Sequence, residues 1–225
     1  MTEFMNRLTE TVLSFIMPSR CPFCEKRIAY DESECSTCRS FFPKDIKRKA
    51  LPTGEECFYP FYYESRYKDA MLALKFKGMR YYAVSFAKAM TGCAKRAYGE
   101  YHIDMITYVP MSGKKKLLRG YNQSKLLADI IARELSVPCC STLYKNPKTP
   151  EQHKLSKEER EQNVRGAFSL KYSGSLDGKV VLLIDDIITT GNTLSECSRL
   201  LRSAGAHPLP LCATGSVTLH PIRAL

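Results

Sequence analysis

Val180-Val181-Leu182-Leu183-Ile184-Asp185-Asp186-Ile187-Ile188-Thr189-Thr190-Gly191-Asn192-Thr193 decides the fold. The first five residues are a continuous apolar run, as expected of a central parallel strand buried on both faces. Leu194, Cys197, Leu200/Leu201 and Ala204 then recur at helical spacing until Gly205. Between strand and helix lies a loop of small residues with backbone N–H groups, three hydroxyls and the positive end of a helix dipole. Together these make a phosphate cradle. The P-loop is excluded because no Gly-Lys-Ser/Thr ending is present, and the dinucleotide fingerprint because the loop holds one glycine. Two carboxylates beside a phosphate would repel it unless they served another part of the ligand. Adjacent hydroxyls of a sugar phosphate, or a divalent metal, give Asp185 and Asp186 such a role.

Outward from this stretch, the pattern predicts strands at Phe58 to Tyr63, Met105 to Val109, near Leu143, and at Leu209 to Ala213. Helices are predicted at Lys68 to Phe76, Tyr82 to Tyr98 and Gln123 to Leu135, with a charged segment from Lys145 to Arg165. The alternation implies an α/β domain, a parallel sheet with flanking helices. Residues 57–225 are expected to form it, after a linker over 44–56 containing the basic run Lys44 to Lys49. Residues 1–43 hold an amphipathic helix over 4–17, ended by Pro18, and a cysteine module.

That module is Cys21, Cys24, Cys35 and Cys38, two C-x2-C pairs separated by ten residues. Such a pattern places four thiolates around one structural zinc with no open coordination position. Its competitors are a disulfide pair and a glutaredoxin-like site at Cys21-Pro22-Phe23-Cys24. The first needs an oxidising compartment, and the second leaves Cys35 and Cys38 unexplained. Cys57, Cys93, Cys139, Cys140, Cys197 and Cys212 show no ligand spacing and are expected to be small core residues.

The chain of 225 residues carries 34 Lys and Arg against 23 Asp and Glu. Residues 1–56 are balanced at nine of each, so the whole surplus lies in the main domain, pointing to anionic ligands. With 25% charged and 44% hydrophobic residues, disordered and multispan membrane classes are excluded. No stretch approaches the roughly 20 apolar residues of a spanning helix, and a soluble cytoplasmic protein is expected.

The string VVLLIDDIITTGNT resembles the signature of type I phosphoribosyltransferases, whose ligand is 5-phosphoribosyl-1-pyrophosphate (PRPP). Met105 to Pro110, Lys114 to Lys116, Arg119 to Gln123, and Thr149 through Arg165 to Phe168 resemble the ComF competence-protein family, also described as amidophosphoribosyltransferase-like. The paired-cysteine N-terminus resembles that family's zinc module. The resemblance implies that Thr189, Thr190, Gly191, Asn192 and Thr193 hold the 5′-phosphate and that Asp185 and Asp186 hold the ribose hydroxyls. It makes Val109, Pro110, Met111, Ser112 and Lys114 a pyrophosphate loop bridged by Mg²⁺, and 145–165 a flexible hood with a capping box at Ser156 and Glu159.

It further implies a part in DNA uptake during natural transformation, with single-stranded DNA handled beside the uptake machinery at the inner membrane. Lys114, Lys115, Lys116 and Arg119 are the nucleic-acid candidates, with nearby aromatic residues such as Tyr81 and Tyr121 as stacking candidates. Two other readings share the fold: an active phosphoribosyltransferase on an unidentified nitrogenous acceptor, and a PRPP binder without turnover. His102, His153, His207 and His220 are scattered, and no general base is named.

Overall fold

The computed structural model describes residues 19–147, 166–172 and 174–216. The helix expected over 4–17, the hood residues 148–165 with Ser156 and Glu159, and His153 and His220 lie outside the described residues. In chain order the elements are α1 (Ser36–Ser40), β1 (Lys47–Ala50), β2 (Glu56–Tyr59), β3 (Phe61–Tyr62), α2 (Ser65–Phe76), α3 (Tyr82–Ala97) and β4 (Met105–Tyr108). They continue with α4 (Gly113–Arg119), α5 (Gln123–Leu135), β5 (Leu143–Lys145), β6 (Phe168–Leu170), β7 (Val180–Ile188), α6 (Asn192–Ser203) and β8 (His207–Gly215).

The main sheet runs β1-β2-β8-β7-β4, with β3 also on β8; only β1 and β2 are antiparallel. Alternation along β7 divides the core in two. Leu182 and Ile184 pack into the cluster built with α2, α3 and α5, whereas Val181 and Leu183 join that of α6, with Leu194, Cys197 and Leu201. Helices thus cover both faces, which accounts for the unbroken apolar run. The β5–β6 hairpin closes the α6 side through Leu143 and Phe168.

Four differences from the sequence reading bear on the site. The strand expected to end at Ile184 continues to Ile188, because the backbone of the acids still pairs with β8 (Asp185↔Cys212, Ile187↔Thr214). The strand expected over Phe58 to Tyr63 is broken at Pro60, which has no donor for a continuous ladder. Lys47–Ala50, inside the expected linker, pairs with β2 from Lys47↔Tyr59 to Ala50↔Glu56. The basic residues Lys114, Lys115, Lys116 and Arg119 stand on a helix, α4, instead of an open loop. Ser112 Oγ accepts from Lys115 N–H at its start, and Gly120 ends it in the left-handed region.

The cysteine module packs into the α2–α3 face. Phe23, between the first two cysteines, meets Phe42, Phe61, Tyr67 and Phe86 at centroid distances of 5.3–5.8 Å. Ser85 Oγ donates to the Ser33 carbonyl at 2.7 Å and Lys88 Nζ to Ser33 Oγ at 2.8 Å.

Candidate sugar-phosphate site and thiol cluster

At the end of β7, Asp185 is buried. Its Oδ1 accepts from Ser124 Oγ at 2.8 Å and from the Asp186 N–H at 2.9 Å. Burial is the largest influence on this carboxyl and the Asp186 charge adds to it. They outweigh the hydrogen bonds and push its pKa up to about 7. Asp186 is differently placed: its Oδ1 accepts from Lys75 Nζ at 2.9 Å, with both side chains about 13–14% exposed. Tyr121 Oη donates to the Leu74 carbonyl and Arg119 lies over the Phe76 ring at 4.6 Å, so both neighbours of Lys75 are held by the segment following β4. Two acids with unlike environments leave oxygen acceptors at the sheet's carboxyl edge, where ligands of such sheets bind.

The loop that follows bends at Gly191, with φ of 84°. A Cβ there would also lie 2.9 Å from Leu51 Cδ2, so close packing against the chain after β1 requires glycine independently of any ligand. Gly191 is the N-cap of α6 and offers no side chain to the first-turn amides, and the first turn carries no acid. An uncapped helix start suits an anion. Lys49 of β1 donates to the Thr189 carbonyl and reaches Ser216 Oγ at 3.4 Å, adding a cation behind the loop.

Facing this edge, Val109 N–H is taken by the Ile184 carbonyl, and Asn122 Nδ2 donates to the Val109 carbonyl at 3.0 Å. The 109–112 turn is therefore fastened to both β7 and the start of α5. His207 pairs with Val180 at the opposite end of β7 and stacks on Tyr101 at 5.4 Å, well away from the acids. Lys75, Lys49 and Ser124 are site residues that sequence reasoning missed.

The thiols of Cys21, Cys24, Cys35 and Cys38 lie within 4.8 Å of one another, and Cys24 Sγ is 3.6 Å from Cys35 Sγ. Burial works to raise the Cys35 pKa, but the Cys38 N–H and the neighbouring thiols bring it down to about 7; burial pushes Cys21 and Cys38 up. Four sulfurs this close ionise together only around a cation, so the residues fit a tetrahedral metal.

The family described as "Phosphoribosyl transferase domain" matches residues 122–219. The chain carries a phosphoribosyl transferase domain. The match includes the start of α5, β7 with its acids, the Thr189–Thr193 loop and α6. Competence protein F of Haemophilus influenzae is 39% identical over 118 residues, 52% of either chain. The DNA utilization protein YhgH of Escherichia coli is 34% identical over 114 residues, 50% of this chain and 49% of its own. The chain spans about half the length of the curated relatives it matches. Among solved structures, glutamine PRPP amidotransferase from B. subtilis aligns at 25% identity over 58% of this chain and 26% of its own, with a TM-score of 0.40. Adenine phosphoribosyltransferase from Saccharomyces cerevisiae aligns at 17% identity over 76% and 83%, with a TM-score of 0.41. Among the described residues, no helix is long and apolar enough to cross a membrane.

Proposed function

We propose that this phosphoribosyl transferase domain binds PRPP with Mg²⁺ and serves a ComF-type role in DNA uptake and single-stranded DNA handling. The observation that carries the sugar-phosphate reading is the unlike acid pair standing beside an uncapped helix start. The ribose hydroxyls donate to Asp185 and Asp186. The 5′-phosphate takes the amides and hydroxyls of Thr189 to Thr193, and the pyrophosphate lies along Val109, Pro110, Met111, Ser112 and Lys114. Mg²⁺ would supply charge neutralisation between the pyrophosphate oxygens. The four cysteines would hold a structural zinc.

The DNA role rests on the names of the relatives, competence protein F and DNA utilization protein YhgH, and on the basic main domain. It would place the protein beside the uptake machinery at the cytoplasmic side of the inner membrane. Calorimetry with PRPP and Mg²⁺, then with single-stranded DNA, is the test; heat from neither ligand would overturn the proposal.

Lys75→Gln is expected to weaken PRPP binding near neutral pH and to move its pH dependence upward. Without the ammonium, the Asp186 charge acts on Asp185 with less opposition and raises its proton affinity further, so this hydroxyl acceptor is charged less often at a given pH. Binding should recover in alkaline buffer. Equal affinities for the variant and the parent at every pH would show that Lys75 takes no part.

Single-stranded DNA should bind weakly and without sequence preference. Log affinity should fall with log salt with a slope of about 0.7 per contacted phosphate. Changing Lys114, Lys115 and Lys116 to Ala is expected to flatten that slope, as read by fluorescence anisotropy. A signal indifferent to salt would refute a phosphate-led contact. Arg119 belongs less to this footprint than its spacing implied, because its guanidinium is engaged with Phe76 and, at 3.4 Å, with Gln123 Oε1.

A further inference from the structure

A cavity of about 530 Å³ opens at the edge of the main sheet, between α4, the outer side of α5 and the β5–β6 hairpin. None of Asp185, Asp186 or Thr189 to Thr193 lines it, whereas Pro110, Met111 and Gly113 do. A molecule seated there would lie against the outer side of the 109–112 turn without occupying the sugar-phosphate cradle. The volume falls within the ordinary range of small-molecule sites.

The lining is strongly cationic. Lys116, Lys125, Lys145 and Lys171 face a single carboxylate, Asp129, which Lys125 already holds at 2.6 Å. Among the described residues no carboxylate pairs with Lys116, Lys145 or Lys171. Lys145 is partly buried with its ammonium over the Phe168 ring at 5.1 Å, and burial together with the nearby Lys115 depresses its pKa. No carboxylate pairs with this ammonium directly, Asp185 acting on it only through space in the opposite sense, and a desolvated ammonium so placed gains from an anion.

Three tyrosines, Tyr108, Tyr121 and Tyr144, also line it. Tyr108 already carries Lys125 Nζ 5.7 Å from its ring centre, but Tyr144 is 46% exposed and offers an open ring face. Inorganic phosphate or a bare sugar phosphate would leave that face unused, whereas a nucleobase would stack on it.

We propose that this cavity is a second ligand site that takes a nucleotide, its phosphate held by Lys116, Lys145 and Lys171 and its base laid on Tyr144. Because the site shares the 109–112 turn with the proposed pyrophosphate contact, its occupancy reports to the PRPP site through that turn. The same chemistry is supplied by a free nucleotide or by one unit of a single strand.

The test is calorimetry of the full chain with 2′-deoxyadenosine 5′-monophosphate and with a short oligodeoxyadenylate, using inorganic phosphate and 2-deoxyribose 5-phosphate as ringless controls. The nucleotide unit should bind at least about tenfold more tightly than either control, the worth of a modest base–aromatic stack. Tyr144→Ala should remove that advantage and Tyr144→Phe should keep it. Lys171→Gln should weaken every phosphate-bearing probe while leaving PRPP affinity unchanged. Binding of the monophosphate identifies a free nucleotide as the source; binding of the oligonucleotide alone identifies a strand. Three results would each overturn the site: no binding of either probe, indifference to both Tyr144→Ala and Lys171→Gln, or loss of nucleotide binding in Asp185→Asn/Asp186→Asn. The last would place the nucleotide in the sugar-phosphate cradle instead.

Discussion

Replacing Asp185 and Asp186 together by Asn is expected to weaken PRPP binding by at least about a hundredfold, since each charged acceptor contributes about 1.5–3 kcal/mol to a hydrogen bond. Folding should survive, because the amide keeps the shape of the carboxyl in contact with Ser124 and the Asp186 N–H. A pH series sharpens the test. Asp185 takes up a proton as pH falls through about 7, and the native protein should lose PRPP affinity over that interval. Its stability should move the opposite way. A carboxyl whose folded pKa is raised contributes stability that is fully present below the ordinary carboxylate range and is lost as pH rises through about 7. Asp185→Asn cannot ionise, so this single variant should outlast the parent on heating in alkaline buffer while binding PRPP poorly. Calorimetric affinity and the thermal midpoint of the same samples measure both effects. Unchanged affinity in the double variant would remove these acids from the ribose site.

What the sequence made legible was whatever lies within one strand–loop–helix unit. The β7 run announces double burial, and the small residues after it announce the loop into α6. What it left hidden comes from elsewhere in the chain. Lys75 is 111 residues upstream of the acid it pairs with and Lys49 is 140 residues upstream of Thr189, and nothing local distinguishes either from a surface lysine. Lys49 sits in a basic run that reads as a linker because β1 has no buried residue to create a period. The same reason hid α4. Its seven residues bury nothing, with Leu117 and Leu118 86% and 78% exposed, so only Ser112 and Gly120 mark its ends. Periodicity detects burial, and these elements are shaped by charge and capping.

Removing the metal, by Cys35→Ser or by a strong chelator, is expected to lower the thermal midpoint of the whole chain. From spacing alone, the four cysteines would form a module that melts by itself. Their packing predicts otherwise. Phe23 stands between two ligand candidates and fills the space among Phe42, Phe61, Tyr67 and Phe86, inside the same core as α2 and α3. Buried Glu34, paired with Arg39 at 2.8 Å, and Ser33, bonded to Ser85 and Lys88, fix the second half of the module to the same face. Without a cation the crowded thiols must protonate or separate, and Phe23 loses its anchor. Withdrawing a buried aromatic side chain costs about 3–5 kcal/mol, roughly 10 °C in midpoint for a chain of this size. Zinc should be present at one per chain by elemental analysis and absent from Cys35→Ser. Phe23→Ala separates the two contributions, because it should keep zinc and still lose comparable stability. Two melting transitions, with the main one unmoved by metal removal, would mean that the module and the sheet domain fold independently.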